Sequence, residues 1–216
     1  MPHTWSRFDP IHATVQRQIR GMEINRRTCL QSFFALPLLP SIAGVSETKA
    51  AKLIVHARSQ IGVTTEYDPA YVALDYPGGD VPRDRGVCID VIIRAYREAF
   101  GFDFQTHVHN DMAAHFGAYP RRWGLNQTDR NIDHRRVPNV ETWLERHGHE
   151  LPTRDWQPGD LITCRVGDTL PHIGILSSQK DRQGRWKAIH NIGLGTLEDS
   201  RIWSYGEQRR FRFLPS

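Results

Sequence analysis

Residues 156–177 read Trp156-Gln157-Pro158-Gly159-Asp160-Leu161-Ile162-Thr163-Cys164-Arg165-Val166-Gly167-Asp168-Thr169-Leu170-Pro171-His172-Ile173-Gly174-Ile175-Leu176-Ser177. Gly159-Asp160 is a turn signal, Leu161–Val166 a strand, Gly167-Asp168 a second turn and His172–Ser177 a second strand. Working outward, Asp181–Gly184 is a turn and Trp186–Asn191 a third strand, and Ile202–Tyr205 and Arg209–Leu214 are expected to complete the set. The short turns suit an antiparallel meander.

Upstream the period is helical. Ala50–Ile61 carries Leu53, Ile54, Ala57 and Ile61 at helical spacing, and Gly62 stops it. Gly86 and Gly101 bracket a second helix, with Ile89, Ile92, Ile93, Tyr96, Ala99 and Phe100 as a broad apolar stripe. Further helices are expected over Thr106–Ala118 and over Asn139–His147, the latter capped by Asn139. Residues 119–140 read as polar and turn-like, and the aromatic-rich stretch holding Tyr67, Tyr71 and Tyr76 reads as a packed binding loop. Helices first and a meander second is an α+β arrangement.

Composition agrees with one domain. The chain has 216 residues, 39% of them hydrophobic and 24% charged, enough apolar matter for a sizeable core and too much for wholesale disorder. No apolar run reaches the roughly 18 residues of a membrane span, so no stable membrane insertion is expected. Three cysteines exclude a disulfide-stapled fold and a four-cysteine zinc site. The net charge of +4 is concentrated near the start: residues 1–45 hold five Arg against Asp9 and Glu23, leaving 23 bases and 22 acids elsewhere. A near-neutral body has no general electrostatic reason to bind nucleic acid.

Arg26-Arg27 precede an apolar stretch from Cys29 to Val45 and then small residues, the order of an export signal. The paired arginines resemble a twin-arginine signal, which implies a periplasmic or cell-envelope location. Residues 1–45 are therefore read as an extension and signal, with translation expected to start at Met22, and residues 46–216 as one domain with an insertion at about 101–155.

Cys88 stands at a helix N-terminus, where unpaired N–H groups and the helix dipole favour a thiolate, the nucleophilic form of sulfur. Such a nucleophile needs an imidazole to take and return its proton. His172 opens a strand from which its ring is expected to project toward the helix, and His190 lies on the neighbouring strand, placed to orient it. Cys164 reads as a buried thiol and Asp90 as a charge complementing the helix dipole. His107, His109, Asp111 and His115 are assigned surface or loop roles, and no metal or cofactor is implied. In Asp133-His134-Arg135-Arg136, Asp133 pairs with an Arg to pin the insertion, or an Arg forks onto a substrate carboxylate.

Trp156-Gln157-Pro158-Gly159-Asp160-Leu161 followed by His172-Ile173-Gly174-Ile175 resembles the second half of NlpC-type cell-wall peptidases, which are papain-like cysteine hydrolases. More narrowly, the chain looks like a member of the bacterial family named domain of unknown function 1287. The residues behind this are Tyr67-Asp68-Pro69-Ala70-Tyr71, Tyr76-Pro77-Gly78-Gly79-Asp80-Val81-Pro82, Gly86-Val87-Cys88-Ile89-Asp90, Asp133-His134-Arg135-Arg136-Val137-Pro138-Asn139 and His190-Asn191-Ile192-Gly193. The resemblance implies a papain-like fold with the Cys88 helix packed on the sheet, and catalysis by Cys88, His172 and His190. Tyr67, Asp90, Arg135, Arg136 and Asn191 become candidate substrate-side residues. The implied substrate is an amide bond in peptidoglycan stem peptides. The alternatives are a thiol-dependent acyltransferase or esterase on the same scaffold, and a non-catalytic envelope-binding module. Val-Cys-Ile-Asp here replaces the Asp-Cys-Ser-Gly of typical NlpC-type enzymes.

The export reading has a direct test. Fused to a reporter that matures only outside the cytoplasm, residues 22–50 should suffice for export, and changing Arg26 and Arg27 to Lys should block it. Export that survives the change points to the general secretory route, and a reporter retained in the cytoplasm removes the signal altogether.

Overall fold

The computed structural model describes residues 48–216, so the expected signal over 1–45 lies outside the described residues. Four α-helices and one large antiparallel sheet are found there. Helix α1 spans Lys49–Arg58, α2 Cys88–Phe100, α3 Phe104–Ala114 and α4 Val137–Arg146. Strands β1 (Glu66–Tyr67) and β2 (Arg85–Gly86) form a small parallel pair. The large sheet contains β3 (Glu150–Leu151), β4 (Leu161–Val166), β5 (Leu170–Lys180), β6 (Trp186–Asn191), β7 (Thr196–Asp199) and β8 (Gly206–Phe211), in the order β3-β8-β4-β5-β6-β7. The α+β expectation therefore describes the architecture.

Alternation along the strands builds two apolar layers. Leu161, Ile173, Ile175 and Ile189 face the main core with the helices, whereas Ile162, Cys164, Leu176 and Ala188 form a second cluster on the other face with Ile202. Helix α2 supplies the centre of the main core, with Ile89, Val91, Ile92, Ala95 and Tyr96 buried. It ends where Gly101 takes the left-handed conformation, φ 66°. Residues 101–155 are part of this core: Phe104, Val108, Met112, Val140, Trp143 and Leu144 are all buried in it.

Several boundaries differ from the sequence reading. The expected helix over Thr106–Ala118 is α3 followed by a separate 3-10 turn at Phe116–Ala118, and Asp103 caps it by accepting from the Gln105 N–H. Helix α4 begins at Val137 with Pro138 in its first turn, so Asn139 lies inside it and donates to the Asp133 carbonyl at 3.0 Å. Ile202–Tyr205 is not a strand: Arg201–Ser204 is a 3-10 turn that lays Ile202 on the second face. The strand beside β6 is instead β7, and the last strand starts at Gly206 rather than Arg209.

Buried charge fixes the loop that leads to Cys88. The Arg94 side chain is almost completely buried and donates to the Asp80 carboxylate, the Thr64 hydroxyl and the carbonyls of Val81, Pro82 and Arg85. On the sheet, Asp160 is fully buried and accepts from Arg210 at 2.7 Å, Arg212 at 2.6 Å and the Gln157 N–H at 2.8 Å. The Gly159-Asp160 turn is thus tied to β8.

Arg94→Met removes the donors while Asp80 and several carbonyls stay in place. We expect a loss of about 3–5 kcal/mol in urea unfolding, with only partial recovery in Arg94→Lys, which lacks the fork. Wild-type stability in either variant would show that the network does not hold the loop.

Candidate active site around Cys88

The segment ahead of Cys88 is held from three sides. Tyr67 and Gly86 pair across β1 and β2. Asn191, fully buried on β6, donates its amide to the Gly86 carbonyl at 3.0 Å and the Glu66 carbonyl at 3.3 Å. Asp90 accepts the Val87 N–H at 2.7 Å, which closes the first turn of α2. Gly86 has φ 152°, and a Cβ there would stand 3.0 Å from Asp90 Cβ and Oδ2. Glycine is required at this position on both counts.

Asp90 is also gripped by Arg135, with Nε on Oδ1 and Nη2 on Oδ2, both at 2.9 Å. Both side chains are 3% exposed. Arg135 makes a further contact to the Ala70 carbonyl at 3.3 Å. This corrects the expectation for Arg135 and Asp90: the guanidinium fork is taken by an internal carboxylate, so neither residue is open to a substrate. Asn191 is likewise committed to the backbone ahead of Cys88. Asp133 pairs with His109 at 2.9 Å rather than with an Arg. Arg136 keeps capacity: its guanidinium lies 4.4 Å over the Trp123 ring and its buried Nη1 has no hydrogen-bond partner.

Among the four residues of the His107–His115 stretch, His107 and His109 go to separate partners while Asp111 and His115 bind each other. His107 stacks on Phe102, His109 pairs with Asp133, and Asp111 is shared by His115, Arg146 and the Tyr119 hydroxyl.

Cys88 and His172 meet at one peptide. The sulfur accepts from the N–H of Ile173, and the amides of Cys88 and Ile89 at the helix N-terminus also lean on it. The peptide it touches joins His172 to Ile173. The face that His172 leaves from is set by its register. His172 pairs in register with Cys164, and its ring lies with Tyr205 and His190 on the opposite face of the sheet from Ile173. Gly174 makes room there, because a Cβ would come within 3.0 Å of Ile202 Cδ1 and 3.3 Å of His190 Cβ.

The two histidines are hydrogen bonded, His172 Nε2 to His190 Nδ1, at 2.7 Å. That leaves Nδ1 of His172 for other chemistry. His190 Nε2 continues to Asp199 Oδ1 at 3.2 Å, and Asp199 is held by Arg201. Asp199 was not legible because β7 was not read. A usable signal exists: Gly193 to Gly195 is a turn, which folds residues 196–199 back along 188–191.

Burial decides the protonation states. It pushes the Cys88 thiol up to about 12, against the three amides and with the help of the Asp90 charge. It pushes His172 well below its ordinary value, aided by His190 and opposed by Asp199. The resting pair is therefore thiol and neutral imidazole. The helix N-terminus favours a thiolate at Cys88, as expected from the sequence, but desolvation outweighs it. Cys164 is also a free, fully buried thiol pushed up to about 12.

A family model described as "Domain of unknown function (DUF1287)" matches residues 54–213. The chain is also 45% identical over 178 residues to "Uncharacterized protein YijF" of Escherichia coli (strain K12), covering 81% of this chain and 86% of that protein.

A raised thiol value means that the anion is scarce at neutral pH and grows as pH rises. Alkylation of Cys88 in the native domain should be slower than that of a free cysteine at pH 7. It should climb about tenfold per pH unit up to pH 9. Cys164, without the amides that lean on Cys88, should label later still. A rate already on a plateau at pH 6, read by mass spectrometry, would mean that the thiol is ionised in the resting protein.

Proposed function

The chain belongs to the DUF1287 family, and from the surroundings of Cys88 in this member we propose an exported cysteine hydrolase of papain-like, NlpC-type fold. Its substrate is an amide bond in peptidoglycan stem peptides. The observation that carries the reading is the helix-N-terminal thiol laid against the peptide of a histidine that is itself bonded to a second histidine.

This mechanism requires His172 Nδ1 to reach Cys88 across the end of β5, and the Sγ–H proton passes to it as sulfur attacks the carbonyl carbon. The C=O π electrons move onto oxygen, where the Cys88 N–H donates to the oxyanion. Collapse returns that pair, breaks the C–N bond and delivers the imidazolium proton to the leaving amine. Water then attacks the thioester as His172 takes its proton, and collapse breaks the C–S bond, releases the acid and returns that proton from His172 to sulfur, which restores the thiol. His190 orients His172 through Nε2. Arg136, stacked on Trp123 with an unused Nη1, binds a carboxylate of the stem. Tyr67, paired beside Gly86, belongs to the cleft wall. Because the thiol is neutral at rest, proton transfer accompanies attack instead of preceding it.

Incubation of the mature domain with purified sacculi, followed by mass analysis of released fragments, tests this. New termini within the stem are expected. Cys88→Ala should abolish release, His172→Ala should lower it by on the order of 10²–10⁴-fold, and His190→Ala should lower it less. Intact sacculi that retain the protein would replace the hydrolase with a binding module.

A further inference from the structure

His190 is not the end of the hydrogen-bonded line that starts at His172. Asp199 stands directly opposite Ala188 in the β6–β7 register, on the same face as His190. One carboxylate oxygen, Oδ1, lies 3.2 Å from His190 Nε2 and accepts the Arg201 N–H at 2.9 Å. The other, Oδ2, accepts from Arg201 Nε at 2.8 Å and Nη2 at 2.6 Å. The groups facing the two rings are Asp199 and Arg201 from β7 and the turn after it, Tyr205 beyond that turn, and Cys164 from β4.

We infer that Asp199 is a positioning residue that sets the tautomer of both histidines and so leaves His172 Nδ1 bare as the base for Cys88. The inference rests on the hydrolase reading for its purpose, and on proton counting for its content. Three donors from Arg201 make Asp199 an acceptor, so His190 Nε2 must carry hydrogen. In the state where both rings are neutral and carry one proton each, His190 Nδ1 is then a lone pair. The 2.7 Å contact between the rings needs a proton, which must sit on His172 Nε2. Nδ1 of His172 is left without one. The reverse order would place hydrogen on His172 Nδ1 and leave no base at that nitrogen. Burial alone would raise the Asp199 carboxyl, but hydrogen bonds from His190 and Arg201 outweigh it and hold it well below the usual carboxylate range. The acceptor therefore persists throughout the neutral range.

Asp199→Asn is the discriminating change. Arg201 side-chain donors claim the amide oxygen and turn the NH2 toward His190 Nε2. That nitrogen must now accept, so both rings switch to Nδ1–H. Asp199→Ala removes the constraint without imposing the wrong one. Release of stem fragments should fall by on the order of 10²–10⁴-fold in Asp199→Asn and by less in Asp199→Ala.

Nitrogen-15 NMR of the histidine rings reads the tautomers without any substrate. In the wild type both His172 and His190 should be protonated at Nε2. In Asp199→Asn both should be protonated at Nδ1. A wild-type His172 protonated at Nδ1 overturns the inference even if the variant does not fold, and so do unchanged tautomers in a folded Asp199→Asn. Expected tautomers in a wild type that leaves sacculi intact would uphold the positioning and remove the hydrolase. Active wild type with an equally active Asp199→Asn would do the reverse.

Discussion

The buried ion pair between Asp90 and Arg135 ties together the parts from which the candidate site is made. One carboxylate closes the first turn of α2 on Val87 and receives both arms of a guanidinium from the turn ahead of α4. The same guanidinium reaches the Ala70 carbonyl in the aromatic loop. Neither partner is dispensable singly, because either one left alone is an uncompensated buried charge. The planar fork also dictates orientation, which a point charge would not. Residues 101–155 are thereby joined to the Cys88 helix by charge as well as by the apolar contacts of Phe104, Val108 and Trp143.

Around this pair the position of Cys88 is over-determined. Arg94 accounts for the carbonyl of Arg85, Asn191 for that of Gly86, and Asp90 for the N–H of Val87. Three successive residues are anchored to a helix, a strand and a carboxylate. The sulfur that results is well placed and poorly solvated. Desolvation raises its proton affinity more than three amides lower it, so the site holds a neutral thiol. In the proposed mechanism reactivity then depends on a proton acceptor in the correct tautomer, which we infer is set along the hydrogen-bonded line His172–His190–Asp199.

Much of this was legible in the residues themselves. The Cys88 helix follows from its stripe and its bracketing glycines, and β4 and β6 from apolar runs between turn signals. The pairing of His172 with His190 follows from the short turn at Asp181–Gly184, which returns one strand beside the other. Ile202–Trp203 misled because a 3-10 turn laid on a sheet is as apolar as a buried strand, and four residues cannot separate the two periods. Asn139 misled because Pro138, preset for the first turn, lets the helix start earlier, and the Asn amide serves a carbonyl six residues back.

By itself the sequence determined the α+β order, the Cys88 helix, the strands β4 to β6 and the residue types that stand at Cys88, His172 and His190. These depend on periodicity and turn residues, which act over a few positions. Only the tertiary structure decided that Arg135 is consumed by Asp90 forty-five residues away, that Asp199 stands behind His190, and that the thiol is neutral. The partner of a charge and the solvent around a sulfur are set by which distant segments pack together. Coulomb attraction and desolvation act through space, and no spacing along the chain encodes them.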